Sequence, residues 1–205
     1  MGKIRRCLIA LLLALPLVSI AQDEKTPYIH KGLFRSVATL SAGRLLNEHT
    51  STIFIQGNLE YYVADHVSIR GEGFYMIKSG HQGAPVFKPY VYSNHQIFSG
   101  ANFHLRGKSH FDPYIGFEPG VAISKAVIDT VPVDQLLLSR QTVNPAFSCM
   151  LGFNYYFEKL FHLFMEARYV HGRHLSNGAA LSLNELRFSF GLGWNLSFNK
   201  KAKQD

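Results

Sequence analysis

The stretch "LRFSFGLGWNLSF", residues 186–198, decides the fold. Leu186, Phe188, Phe190, Leu192, Trp194, Leu196 and Phe198 share one parity. Arg187, Ser189, Gly191, Gly193, Asn195 and Ser197 share the other. A strand sends successive side chains to opposite faces, so alternation of period two marks a strand and not a helix. The run is longer than an ordinary globular strand of about 5–6 residues. It is long enough for a tilted membrane-spanning strand, which needs about 9–11.

Upstream, the same alternation recurs. "IFIQGNLEYYV" sets Ile53, Ile55, Leu59, Tyr61 and Val63 against Gln56, Asn58 and Glu60. "VSIRGEGFYMIK" sets Val67, Ile69, Tyr75 and Ile77 against Ser68, Arg70, Glu72 and Lys78. "QIFSGANFHLR" sets Ile97, Ala101, Phe103 and Leu105 against Gln96, Asn102, His104 and Arg106. "PYIGFEPGVAIS", "FSCMLGFNYYF" and "LFMEARYV" follow the same rule, and a weaker first strand covers about 33–45. The total is eight strands, an even number.

The connections alternate in length. "ADH" (64–66), "GKSH" (107–110) and "EKL" (158–160) are tight, and longer segments fall at 79–94, 125–143 and 172–184. One long-side connection, near 46–51, is brief. Short turns on one rim and long loops on the other are the habit of outer-membrane barrels, with the short turns periplasmic. The expected fold is therefore all-β: an eight-stranded, antiparallel, up-and-down transmembrane β-barrel. A sheet exposed to lipid must leave no edge unpaired, so it closes. Tyr61, Tyr155, Trp194 and Phe198 lie near the short-turn ends and suit an interfacial aromatic girdle.

The opening of the chain agrees with export. In "MGKIRRCLIALLLALPLVSIAQ", Lys3, Arg5 and Arg6 precede an apolar core, and Ser19 and Ala21 are small residues before Gln22. This predicts a signal peptide over 1–21 cleaved after Ala21, a barrel domain over 22–198 and a basic periplasmic tail over 199–205. The apolar core is too short for a bilayer-spanning helix of about 20 residues. Loss of the three leader cations lowers the formal charge from +7 to +4. So small and dispersed a surplus does not favour nucleic acid. Cys149 is then the sole remaining Cys, which excludes an internal disulfide.

The polar parity carries Glu60, Glu72, Glu118 and Glu166, and also Arg70, Arg106, Arg168 and Arg187. In a barrel of eight strands these side chains fill the interior. An unpaired buried charge is costly, so a balanced set predicts a plugged interior and not an open pore.

Several segments carry a resemblance. "FDPYIGFEPGVAIS", "FSCMLGFNYYF", "FMEARYVHG" and the terminal "RFSFGLGWNLSF" resemble the small outer-membrane β-barrel domain proteins of Bacteroidetes-type bacteria, including PorT-like barrels. The chain is similar, more distantly, to the OmpA-type transmembrane domain. The resemblance implies an outer-membrane barrel, and a monomer is expected. PorT-like members are linked to protein secretion. The chain departs from the pattern in adding "NKKAKQD" after Phe198.

"HGRHLSNGAALSLNE", 171–185, is the one segment that suggests catalysis. "HLSN" at 174–177 resembles the His-x-Ser-Asn motif of PagL-type lipid A deacylases, which are also eight-stranded barrels. That resemblance implies Ser176 as nucleophile and His174 as base, with Asn177 near the oxyanion. The acid expected about a dozen residues on is Phe188, so Glu185 would have to substitute. Both His174 and Ser176 carry the inward parity unless Gly172 bulges. His171 and His174 stand three apart, a spacing that does not aim both rings at one metal ion.

The reading favoured by the sequence is thus a non-enzymatic barrel with no cofactor and no metal. Its expected contacts are outer-membrane lipids, lipopolysaccharide and envelope proteins met through the segments 79–94, 125–143 and 172–184. A lipid A deacylase and a narrow pore stand as alternatives.

Overall fold

The computed structural model describes residues 28–80, 89–105, 110–131, 135–176 and 179–197. Every regular element among them is a strand. The order is β1 (Leu33–Leu45), β2 (Thr50–Ala64), β3 (Val67–Gly80), β4 (Tyr90–His104), β5 (Phe111–Val131), β6 (Gln135–Leu138), β7 (Thr142–Tyr156), β8 (Phe161–Ser176), β9 (Ala179–Ser182) and β10 (Glu185–Ser197). Eight of them form the wall. They run β1-β2-β3-β4-β5-β7-β8-β10, each antiparallel to its neighbours, and β10 returns to β1 from Leu33↔Ser197 to Leu45↔Glu185. No edge is left in the wall.

The ladder can be followed once round the ring. It passes from Arg44 to Leu186, Tyr169, Cys149, Phe117, Ala101, Ile69 and Tyr61, and returns to β1 at Phe34. The return falls ten residues below the start. That stagger is the shear of the barrel, and it tilts the strands by about 40°.

Burial alternates along every wall strand, as in β2, where Phe54, Gln56, Asn58, Glu60 and Tyr62 are buried and Ile55, Leu59 and Tyr61 are exposed. The polar parity faces the lumen. The alternation breaks in β4, where the register shifts between Val91 and Ser93, and in β3. Phe54 pairs with Met76 but Ile53 pairs with Lys78, so Ile77 is an extra residue in β3. The bulge turns Lys78 outward beside Ile53 and removes it from the inward face, where strict alternation puts it.

Two of the expected long loops are largely strand. β5 continues to Val131 and pairs with β6 as a hairpin, and β8 continues to Ser176 and pairs with β9. Val127, Ile128, Thr130 and Val131 are β-branched, and that favours extension of β5 past the wall. Of the segment 79–94, residues 81–88 lie outside the described residues, as do the leader, Arg106, Asn177, Phe198 and the tail.

The short-turn mouth is closed by the chain just before β1. Ile29 and Leu33 are buried against Tyr62 and Tyr156. Gly32 holds φ 88°, a conformation that side chains disfavour, and its N–H donates to the Tyr62 carbonyl at 2.9 Å. Lys31 N–H donates to Asp65 at 3.0 Å. This strap turns inward and seals the floor.

Candidate functional site

The lumen is filled in layers above that floor. In the lowest, Arg35 pairs with Glu60, donates to Tyr156 Oη at 2.6 Å, and lies 3.8 Å from Asp112. His104 stands between two acids, with Nδ1 2.8 Å from Asp112 Oδ2 and Nε2 3.3 Å from Glu60 Oε1. Neither Arg35 nor Asp112 stands out in the sequence. Arg35 sits in the least regular strand, and Asp112 lies just ahead of the alternating stretch that begins at Pro113. Only the parity of each strand, carried to its short-turn end, puts them in the lumen.

The middle layer joins Arg70 and Arg168 to Glu72, Glu118 and Glu166. Arg70 Nη1 meets Glu166 Oε2 at 2.8 Å and Nη2 meets Glu72 Oε2 at 3.0 Å. Arg168 Nη1 meets Glu118 Oε2 at 2.8 Å, Nη2 meets Glu166 Oε1 at 3.0 Å, and the same guanidinium pairs with Glu72. Tyr114 donates to Glu166 at 2.8 Å.

Above it, Arg187 pairs with Glu185 and donates to Gln96 Oε1 at 2.8 Å. Its guanidinium carbon lies 3.9 Å from the centroid of the Phe54 ring and 4.6 Å from that of Phe74, close enough for cation–π attraction. An apolar roof of Leu45, Met76, Val91, Ala122, Val170 and Leu183 follows. Of Glu60, Arg70, Glu72, Arg106, Glu118, Glu166, Arg168 and Arg187, all but Arg106, which is not described, belong to these layers, whereas Lys78 of the same parity faces outward.

Several of these contacts cross the barrel. In a ring of eight, β3 stands opposite β8, β1 opposite β5, and β4 opposite β10. Arg70–Glu166, Arg35–Asp112 and Arg187–Gln96 therefore each span the lumen. Paired guanidinium and carboxylate groups thus occupy the lumen at three heights.

Glycine makes the inner face fit. A Cβ on Gly100 would strike the Phe117 carbonyl and the Glu118 side chain. One on Gly43 would strike Glu185 and Thr52. The large side chains of one strand occupy the space that its neighbour leaves empty.

The described residues of the HLSN segment, His174 to Ser176, continue β8. β8 stays in register with β7 through Ala146↔Gly172 and with β9 through Arg173↔Ser182, so Gly172 does not bulge. His174 is buried above the roof. Its Nδ1 lies 2.9 Å from Ser124 Oγ and 3.1 Å from Thr142 Oγ1, and its Nε2 lies 3.2 Å from Ser139 Oγ. Ser176, at the top of β8, is half-buried. Glu185 is buried deeper and engaged by Thr52 and Arg187. His171 points outward, away from His174.

Ser68, His104 and Asp112 do form a chain, with Ser68 Oγ 3.0 Å from His104 Nε2. The spacing is that of a nucleophile, a base and its orienting acid. The hydroxyl, however, donates to Glu60, and both ring nitrogens face carboxylate oxygens, which only accept. Both nitrogens are thus engaged, Nδ1 by Asp112 and Nε2 by Glu60 as well as Ser68. Ile29, Leu33, Tyr62 and Tyr156 also seal the group from below.

No family model and no characterised protein matches the sequence. Solved structures match the fold. Neisserial surface protein A (NspA) is 12% identical at TM-score 0.56, covering 81% of this chain and 98% of that one. The outer membrane protein OprG from Pseudomonas aeruginosa is 12% identical at TM-score 0.57, covering 84% and 100%. The outer membrane protein AlkL, solved in lipid bilayers, is 12% identical at TM-score 0.52, covering 89% and 99%. At such identity the likeness is one of fold: a closed, eight-stranded, antiparallel barrel.

Proposed function

We propose that the chain is a monomeric, integral outer-membrane barrel with a plugged polar interior and no catalytic activity, acting through its long-connection rim. The observation that carries this reading is the set of ion pairs and hydrogen bonds that span the lumen, above all Arg70–Glu166 and Arg187–Gln96. The membrane placement is supported by the outer face. Leu40, Ile55, Ile69, Ile97, Leu151 and Phe190 are each more than half exposed and are spread round the wall. A water-soluble monomer rarely exposes a contiguous apolar patch beyond a few hundred Å². The neighbours named above as a surface protein or as outer membrane proteins support the same location. Cleavage after Ala21 and affiliation with the PorT-like or OmpA-like barrels belong to this reading on the strength of the motifs quoted above.

With the lumen closed, contact with lipopolysaccharide and envelope proteins falls to the rim and the β5–β6 and β8–β9 hairpins. Function at such projecting segments is the common pattern. The test has two arms. Purified protein in planar bilayers should show no stable unitary steps, and steady conductance would overturn the plug. Replacing residues 128–137 with a short turn should leave a heat-modifiable barrel and remove the proteins captured from native membranes. An unchanged set of captured proteins would overturn the role of the first hairpin.

A further inference from the structure

We propose that Arg44, Lys78, Lys125 and Arg173 form a belt that binds the phosphate groups of lipopolysaccharide in the outer leaflet. The inference rests on the outer-membrane reading above and assigns that reading a lipid partner and a site.

The four residues lie on β1, β3, β5 and β8, every second strand of the ring. All four face outward. Arg44, Lys78 and Arg173 are exposed and Lys125 is half-buried. Lys78 reaches this face only through the bulge at Ile77. The ladder that leaves Arg44 meets β8 at Tyr169, β5 at Phe117 and β3 at Ile69, descending with the shear. Arg173, Lys125 and Lys78 stand above those positions by enough residues to recover the drop. With about 3.3 Å per residue and a tilt of about 40°, the four share one level to within roughly 7 Å.

That level matches a membrane surface. Phe34 is ten residues below Arg44 on the same strand, paired with Tyr61 and next but one to Ser36, which pairs with Trp194. Tyr61 and Trp194 are exposed aromatics of the short-turn end. The belt therefore stands roughly 25 Å above this aromatic girdle, the height of the apolar band of outer-membrane barrels.

The charge is one-sided. Among the described side chains, no carboxylate on a wall strand faces outward. The acid of the β1–β2 turn, Glu48, is drawn in to accept from Val91 N–H at 3.2 Å. On the short-turn rim, Lys31 and Lys159 are offset by Asp65 and Glu158. Among the described wall-strand side chains, the upper level is where outward cations stand without an outward carboxylate, and the outer leaflet facing it carries phosphorylated saccharolipid. Lysine and arginine both suit phosphate, and arginine binds it through two parallel N–H donors.

The test uses the full barrel refolded in neutral detergent. Retention of lipid A is measured by native mass spectrometry for bisphosphorylated lipid A, its phosphatase-treated form, and inorganic phosphate. The wild type should retain bisphosphorylated lipid A at least tenfold more strongly than the dephosphorylated form. Combined substitution Arg44→Gln, Lys78→Gln, Lys125→Gln and Arg173→Gln should remove that preference. Lys31→Gln with Lys159→Gln should leave it intact. Equal retention of both lipids, a preference unchanged in the fourfold variant, or equally tight binding of inorganic phosphate overturns the belt. A protein that stays monomeric in water without detergent overturns the membrane reading itself.

Discussion

The guanidinium of Arg70 on β3 and the carboxylate of Glu166 on β8 meet at 2.8 Å across the full width of the barrel. The two strands share no ladder, so this bond ties opposite walls through the lumen. Removing Arg70 leaves the buried carboxylates of Glu72, Glu118 and Glu166 to share the single guanidinium of Arg168. Arg70→Ala should destabilise the barrel by about 3–5 kcal/mol in urea unfolding from bilayers. The double replacement Arg70→Met with Glu166→Leu should recover most of that loss, because both charges leave together. A double variant no more stable than Arg70→Ala would show that the bridge is not the cause.

Gly100 and Gly73 differ only in their surroundings. A Cβ on Gly100 meets the backbone of β5, whereas one on Gly73 meets nothing within 4 Å. Gly100→Ala should therefore cost at least about 1–3 kcal/mol, as overpacking does. Gly73→Ala should be close to neutral. Refolding yield and unfolding midpoint of the two variants check the contrast.

Glu48, in the turn between β1 and β2, is pushed up to about 7 by burial, with the Val91 N–H opposing the shift. A folded-state value above the ordinary carboxylate value of 4.5 means that the folded barrel holds this proton more tightly than the unfolded chain. Stability from this group is complete below about pH 4.5 and declines as pH rises toward 7. Wild-type protein should therefore unfold at higher urea at pH 5 than at pH 8. Glu48→Gln should flatten that part of the profile. A slope that survives the substitution assigns it to other groups.

His174 bonds three hydroxyls and no carboxylate. Incubation with lipid A should release no 3-linked acyl chain, and Ser176→Ala should leave the background unchanged. His174→Ala should cost about 1–3 kcal/mol, the usual penalty when buried hydroxyls lose a partner. Acyl release that disappears with Ser176→Ala would restore the deacylase reading.

Period-two alternation, read along the chain, determined the wall. The span 33–45 predicted for the first strand coincides with β1, and the inward parity of Glu60, Arg70, Glu72, Glu118, Glu166, Arg168 and Arg187 is local information that each strand carries alone. Alternation is blind to register and to bulges. It could not show that Arg70 faces Glu166 across the lumen, that Arg35, His104 and Asp112 meet at the floor, or that Lys78 turns outward at Ile77. It also took the segments 125–143 and 172–184 as loops, because hairpins above the wall gain their order from pairing with β5 and β8. The physical reason is the same in each case. The face of a side chain is set by its own strand, but its partner is set by closure and shear, which depend on all eight strands together.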